Sequence, residues 1–143
     1  MIEESYSVGA VQAVAEFRAA LRRFLRQSER IARMYGLTPQ RYLLLLMIKG
    51  APGGAERSTV TELAERMQLG QSTVTELVAR AEEAGLVKRE LAPMDARVAH
   101  LRLTAEGEQR LRQSFTHLAT ERAHLREAIS GLDEPSQEHS PSA

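Results

Sequence analysis

The chain of 143 residues contains no cysteine. This absence excludes disulfide scaffolds, thiolate metal sites and cysteine-based redox sensors. The chain also lacks an apolar run long enough to cross a membrane, and Met1–Ser5 show neither the basic start nor the apolar core of a signal peptide. We therefore expect a cytoplasmic protein of one compact domain, because this length suffices to bury a core without a disulfide or a structural metal.

The chain has no net charge either, with 19 basic and 19 acidic side chains. Proteins that bind nucleic acid usually carry an excess of Lys and Arg, so the overall charge does not argue for such a function. The distribution is uneven: residues 1–57 hold nine Lys and Arg against five Asp and Glu, residues 58–102 hold six against seven, and residues 103–143 hold four against seven. Bulk charge alone would not mark the middle segment as a DNA-binding surface.

Motifs of catalysis are missing from the sequence. It has no Gly-rich phosphate loop, no nucleophile elbow and no His/Asp pair at a useful spacing, so we do not expect an enzyme or a cofactor. His117, Glu121 and His124 have the spacing of a helical metal site, but no second group of ligands accompanies them. A polar helix face is therefore favoured over zinc, and no metal site is predicted.

Apolar and aromatic side chains recur at steps of three and four residues near both ends of the chain. This spacing is typical of amphipathic helices and predicts long helices over about residues 8–35 and 104–130. Between them, Thr38 and Pro39 have the pattern of a helix start, and the apolar run 43–48 predicts a buried helix. The residues of the two apolar stripes are Val14, Phe17, Leu21, Phe24, Ile31 and Tyr35, then Leu111, Phe115, Leu118, Leu125 and Ile129.

A helix-turn-helix is predicted over residues 59–85. Thr59 and Glu62 form a Thr-x-x-Glu capping box that begins the first helix. Gly70 begins the second helix and Gly85 ends it, so that only a short turn separates the two.

A β-hairpin, or wing, is predicted directly afterwards, over residues 86–103. Two short strands flank the turn at 92–97, and the second strand alternates apolar and polar residues. Gly131 is expected to end the last helix, and the polar residues 132–143 are expected to form a mobile tail. The predicted fold is mostly α, of the α+β class: one domain over residues 1–131, with a winged helix-turn-helix between long terminal helices.

The second helix of the motif carries side chains suited to reading DNA. Such a helix enters the major groove, where hydroxyl and amide groups meet base edges. Basic residues farther along suit phosphates, and an Arg at a β-turn suits the minor groove, with a neighbouring Asp to orient it. Helix caps and a surface ion pair are the structural alternatives. The candidate DNA-binding residues are Gln71, Ser72, Thr73, Thr75, Arg80, Lys88, Arg89, Asp95, Arg97 and Arg102.

These segments resemble the multiple-antibiotic-resistance regulator (MarR) family of winged helix-turn-helix proteins. The resemblance runs from about Leu37 to Leu111. Its most specific part is the series Gly85-Leu86-Val87-x-Arg89-x5-Asp95-x-Arg97-x3-Leu101-x-Leu103-Thr104-x2-Gly107. Upstream, Thr61-Glu62-Leu63-Ala64 and Ser72-Thr73-Val74-Thr75 are similar to the family's two helix-turn-helix segments. A spaced pattern of this length is far more specific than a helix-turn-helix alone.

The resemblance implies a homodimeric transcriptional regulator on a pseudo-palindromic operator in double-stranded DNA, and we expect a repressor that a small molecule releases. It makes Arg97 the minor-groove arginine and Asp95 its partner. It also implies dimerisation through both chain ends, with Val14, Phe17, Leu21, Phe24, Leu118 and Leu125 as the candidate interface. A small aromatic or anionic effector is expected in a pocket of Phe17, Arg18, Phe24, Tyr42 and Phe115, for which core packing is the alternative.

Departures from the family pattern leave a second hypothesis open. Glu76 lies where the family frequently has a basic or small residue, and a carboxylate there lowers phosphate affinity unless it accepts a hydrogen bond from a cytosine. A further amphipathic helix is not expected after Gly131, so the interface would rest on the two stripe-bearing helices. Glu76 and the balanced charge of residues 58–102 are also compatible with a winged-helix protein-interaction module that does not bind DNA specifically.

Overall fold

The computed structural model of the chain describes residues 5–92 and 95–133, with the side chains of residues 92–97 outside that description. Helices and one two-stranded antiparallel sheet account for most of the described residues. In chain order the elements are α1 (Val8–Met34), α2 (Pro39–Lys49), a 3-10 turn (Pro52–Gly54), α3 (Val60–Met67), α4 (Gln71–Glu83), β1 (Val87–Ala92), β2 (Asp95–Leu103), α5 (Ala105–His117) and α6 (Ala119–Asp133). This order confirms the predicted mostly helical α+β fold with a winged helix-turn-helix.

The turn between α1 and α2 follows the local rules of helix ends. Gly36 has a φ of 73°, which only glycine adopts without strain, and it follows the last turn of α1. Thr38 then caps α2, because its side-chain oxygen accepts a hydrogen bond from the Arg41 amide at 3.2 Å, and Pro39 occupies the first helical position.

The C-terminal part of the chain differs from the single helix expected over residues 104–130. The helix is interrupted at Leu118, and α6 continues through Gly131 to Asp133. One turn before the break, the Ser114 hydroxyl donates to the Arg110 carbonyl at 2.9 Å, a side-chain bond that competes with the helical ladder and bends helices. The expectation that Gly131 ends the last helix is therefore wrong, because residues 132 and 133 of the predicted tail belong to α6. Residues 134–143 lie outside the described part, so the expectation that no further helix follows stays a prediction.

Contacts divide the chain into two compact units, which we call the central unit (Glu29–Thr116) and the terminal unit (Met1–Ser28 with His117–Ala143). The central unit contains the helix-turn-helix, the wing and the larger apolar core. Its fully buried side chains come from helices and strands alike: Ile31, Leu37, Leu44, Leu45, Ile48, Leu63, Val74, Val78, Leu86 and Leu101. The site described below rests on this core.

The terminal unit contains most of α1 and all of α6. Apolar residues just before and at the start of α1 remain exposed, with Tyr6 97% and Val8 76% accessible, and α6 buries no residue completely. Leu118 is an exception to the predicted dimer face, because its side chain is fully buried within the single chain. Among the helices of the described residues, none combines the length and the apolar character that crossing a membrane requires.

Candidate nucleic-acid interface

The helix-turn-helix is formed by α3, a three-residue turn and α4. The Thr59 oxygen accepts a hydrogen bond from the Glu62 amide at 3.2 Å, as the capping box predicts, while the Thr59 hydroxyl donates to the Glu62 carboxylate at 3.1 Å. In the turn, Gln68 adopts a left-handed conformation with a φ of 56°. Its side-chain amide donates to the Glu65 carbonyl at 2.6 Å, which stabilises this unusual backbone position.

One face of α4 is buried and the opposite face is polar and exposed. Val74, Val78 and Ala81 have no accessible surface, which fixes the rotation of the helix about its axis. The side chains of Gln71, Ser72, Thr73 and Thr75 are all exposed, as expected for candidate base contacts. The Thr75 hydroxyl donates to the Gln71 carbonyl at 2.8 Å, so its proton is engaged while its oxygen can still accept a hydrogen bond.

The wing is joined to α4 and α5 by tight backbone contacts. The Thr104 hydroxyl donates to the Gly85 carbonyl at 2.6 Å and accepts from the Gly107 amide at 3.1 Å, so one side chain bonds both sides of the joint. A Cβ atom at Gly107 would lie 2.1 Å from the Leu86 carbonyl oxygen, which explains why glycine is required there. The Leu-Thr-x2-Gly series of the sequence therefore encodes this joint.

The register of the hairpin places two candidate phosphate contacts side by side. Lys88 pairs with Arg102 across the antiparallel strands, and β1 contains an irregularity between Leu91 and Ala92. A further bridge connects Ser58, before α3, with Leu101 of β2 through two backbone hydrogen bonds of 2.8 and 3.1 Å.

The side chains of Asp95 and Arg97, the predicted wing-tip pair, lie outside the described residues. Their backbone belongs to β2. Their predicted roles therefore stay predictions.

Carboxylates neutralise most of the candidate phosphate contacts that the structure describes. Arg80 pairs with Glu76 at 2.7 Å, and Arg89 pairs with Glu82 at 2.8 Å. Of the four basic candidates with described side chains, only Lys88 has no such pair within the described part of the chain. The site thus presents fewer unengaged cations than its sequence suggests.

The fourth basic candidate, Arg102, belongs to a chain of charges at the base of the wing. It lies 3.5 Å from Glu90 and 4.0 Å from Glu56, and Glu56 in turn pairs with Lys49 at 2.9 Å. Lys49 also donates to Glu108 of α5 at 2.7 Å. Arg102 therefore links β2 to neighbouring elements in addition to being a candidate phosphate contact.

Two pKa values are displaced within this chain of charges. The hydrogen bonds from Lys49 to Glu108 and to Glu56 raise the pKa of the Lys49 ammonium above its ordinary 10.5. The hydrogen bond from Lys49 lowers the pKa of the Glu56 carboxyl below its ordinary 4.5. Glu56 also has a φ of 54°, a position that residues with a side chain rarely adopt.

The predicted effector pocket is divided between the two units. Phe17, Arg18 and Phe24 belong to the terminal unit, whereas Tyr42 and Phe115 belong to the central unit. Tyr42 is buried and Phe115 is half exposed.

A groove of about 560 Å³ lies within the terminal unit. Of the predicted pocket residues it includes only Phe24, and its polar lining residues are Glu16, Arg23, Gln27, Glu121, His124 and Glu127. Within the described residues, no three His, Cys, Asp or Glu side chains are grouped in a way that would hold a metal ion.

Sequence reasoning missed the carboxylate partners of the arginines. The pair between Glu76 and Arg80 has the spacing of i and i+4 on one helix, a signal that was available in the sequence. The pair between Glu82 and Arg89 connects a helix to a strand, and no spacing rule predicts it.

Comparison with known proteins agrees with this architecture. Residues 35–98 match the model of the MarR family. A putative transcriptional regulatory protein for the hcr operon of Thauera aromatica is 34% identical over 93 residues, which cover 65% of this chain and 52% of that protein. The match thus spans about half the length of this curated relative.

Solved structures share the fold. A MarR family transcription regulator superposes with a TM-score of 0.67 at 25% identity, covering 82% of this chain and 75% of that chain. A mutant of MepR from S. aureus, bound to an oligodeoxyribonucleotide, superposes with a TM-score of 0.59 at 18% identity, covering 78% and 79%. Residues 35–98, which hold the helix-turn-helix and most of the wing, thus match the MarR family, and the chain shares its fold with a MarR family regulator.

Proposed function

We propose that the chain is a sequence-specific DNA-binding transcriptional regulator that acts as a homodimeric repressor. The observation that carries the proposal is the exposed polar face of α4, held in place by three fully buried residues on its opposite face beside an anchored wing. Recognition helices present such a face to base edges in the major groove. The family match, the regulatory relative and the fold neighbour bound to an oligodeoxyribonucleotide support the same reading.

Six of the candidate residues have a proposed role on the duplex. Gln71, Ser72 and Thr73 contact bases, and the first amides of α4 suit a phosphate, because Gly70 offers no side chain to cap them. Lys88 contacts a phosphate beside the wing. Arg97 enters the minor groove with Asp95 orienting it, as the family resemblance implies.

Selection of bound duplexes from a random pool tests the proposal. We expect enrichment of a pseudo-palindrome, and we expect Arg97→Ala to weaken binding to the selected duplex by about 1–3 kcal/mol. Arg112→Ala, on the exposed surface of α5, removes the same charge and should leave binding nearly unchanged. The proposal fails if no sequence is enriched, or if both variants bind as the wild-type protein does.

Release by a small aromatic or anionic effector is the finer part of the proposal. It is supported by the family resemblance and by the aromatic and arginine side chains named for the pocket. Salicylate-like anions should raise the melting temperature and weaken binding to the selected duplex. If several classes of anion do neither, the protein represses without an effector.

A second candidate is a winged-helix protein-interaction module. The observation in its favour is that Arg80, Arg89 and Arg102 already pair with carboxylates of their own chain. The same selection separates the two candidates, because a protein-interaction module would not enrich any duplex sequence.

A further inference from the structure

We propose that Glu76 is a specificity-determining residue that accepts a hydrogen bond from the amino group of a cytosine in the target sequence and, on other sequences, keeps Arg80 from the phosphates. The inference rests on the proposed DNA-binding function and names a base that the exposed surface of α4 recognises.

The position of Glu76 carries the first step. Ser72, Glu76 and Arg80 follow one another at four-residue intervals, and therefore lie in one row along the helix. All three are exposed, on the side opposite the buried Val74 and Val78. If Ser72 faces the major groove, Glu76 is the next side chain of the same row.

Chemistry limits what a carboxylate can meet in that groove. A carboxylate only accepts hydrogen bonds, and at neutral pH it is repelled by phosphates and by the acceptor atoms of guanine. The amino group of cytosine is a donor in the major groove, and Asp or Glu is its usual partner. A carboxylate in this row is therefore favourable at a C·G pair and unfavourable at most other places.

The ion pair with Arg80 supplies the second step. Glu76 Oε1 lies 2.7 Å from Arg80 Nη2, and both side chains are more than 60% exposed. An exposed pair of this kind is weak, so a better partner can replace it. When Glu76 turns to a cytosine, the Arg80 guanidinium becomes available to a phosphate. Without that cytosine Glu76 stays beside Arg80, and the carboxylate charge opposes the approach of a phosphate.

Both steps lower the affinity of the protein for random DNA. Non-specific binding depends on the number of phosphates that Lys and Arg neutralise, and each one contributes about 0.9 to the slope of log affinity against log salt. By engaging Arg80, Glu76 removes one such contact from every sequence that lacks the cytosine. The balanced charge of residues 58–102 thus favours binding to the target sequence over binding to random DNA.

The experiment compares Glu76→Gln with the wild-type protein in two measurements. In parallel selections, the wild-type protein should require C at one position of each half-site, and Glu76→Gln should lose that preference by about tenfold and shift toward A, which Gln recognises. In titrations of random duplex at several salt concentrations, Glu76→Gln should bind about three- to tenfold more tightly, with a slope steeper by about 0.9 per protomer.

Two further variants separate the causes. Glu106→Gln removes the same charge from an equivalent i and i+4 pair on α5, where Glu106 lies 2.8 Å from Arg110, and should change neither measurement. Glu76→Asp keeps the charge but shortens the reach, so it should lose the cytosine preference without the gain on random DNA. Circular dichroism melting of each variant verifies that it is folded.

The outcomes distinguish this inference from the function on which it rests. If the wild-type protein enriches no sequence, the proposed function fails and the inference falls with it. If the wild-type protein enriches a sequence and Glu76→Gln enriches the same one with the same preferences, only the inference is overturned. An equal rise in random-duplex affinity for Glu76→Gln and Glu106→Gln also overturns it, because overall charge would then be the cause.

Discussion

Gly107 and Thr104 decide how the wing joins the body of the central unit. The Thr104 side chain bonds Gly85 before the wing and Gly107 after it, while the missing Cβ of Gly107 makes room for the Leu86 carbonyl. A side chain at Gly107 would clash with backbone atoms of Leu86, which move less easily than the end of a flexible side chain. Two residues thus hold α4, β1 and α5 together at one place.

We predict that Gly107→Ala lowers the free energy of unfolding by about 1–3 kcal/mol, because the new Cβ would lie 2.1 Å from the Leu86 oxygen. Urea unfolding followed by circular dichroism measures the change. Gly131→Ala is the matched control, since that glycine is helical and nothing lies within 4 Å of its added Cβ. It should be neutral or stabilising by up to about 1 kcal/mol. Equal effects of the two substitutions would contradict the role given to Gly107.

At the scale of elements, the wing is held by charges as well as by its backbone. Glu56 contacts Lys49 of α2 and approaches Arg102 of β2, and Lys49 reaches Glu108 of α5. A glutamate at a φ of 54° is strained, and its two basic neighbours are the interactions that favour this position. Neutralising Glu56 should therefore loosen the segment between α2 and α3.

We predict a pH-dependent loss of stability for Glu56→Gln. The pKa of the Glu56 carboxyl is lower in the folded protein than its ordinary 4.5, so its contribution is complete above that value and is lost as the pH falls through the folded pKa. The pKa of Lys49 is raised, so its contribution is complete below the ordinary 10.5 and is lost as the pH rises through the folded pKa. The stability gap between wild type and variant should be largest near about pH 7 and should narrow toward about pH 3.

Urea unfolding at a series of pH values measures this gap. Glu65→Gln serves as the control, because Glu65 is exposed on α3 and makes no ion pair within the described part of the chain. Its stability curve should run parallel to that of the wild-type protein. A gap for Glu56→Gln that stays constant with pH would mean that the charge of Glu56 does not stabilise the fold.

At the scale of the whole molecule, the terminal unit leaves apolar surface uncovered. Tyr6, Val8, Val11 and Val14 are exposed near the start of the chain, and Ile129 is half exposed on α6. Apolar residues in such a group are typical of an interaction surface. With the homodimer implied by the family resemblance, this surface is the candidate interface between two copies.

We predict that Leu21→Glu or Phe24→Glu converts the proposed homodimer to a monomer, because each places a charge on the partly exposed apolar stripe of α1. Sedimentation velocity measures the mass. Arg22→Glu, on the exposed side of the same helix, should leave the dimer intact. Leu118→Glu should lower the melting temperature instead, because Leu118 is buried within one chain. An unchanged dimer in both stripe variants would place the interface elsewhere.

The sequence by itself determined the elements whose signals are local. Thr38 with Pro39, Thr59 with Glu62, and Gly85 begin or end their helices where the spacing predicts, because caps and left-handed glycines act within one turn. The order of helix-turn-helix and wing followed from these signals.

Only the tertiary structure decided which charges meet and which apolar residues are covered. Glu82 finds Arg89, Glu56 finds Lys49, and Leu118 is buried instead of facing a partner. Each of these depends on the packing of separate elements, which periodicity does not encode. The candidate site was therefore predictable in its location and its polar face on α4, but not in the carboxylates that engage its arginines.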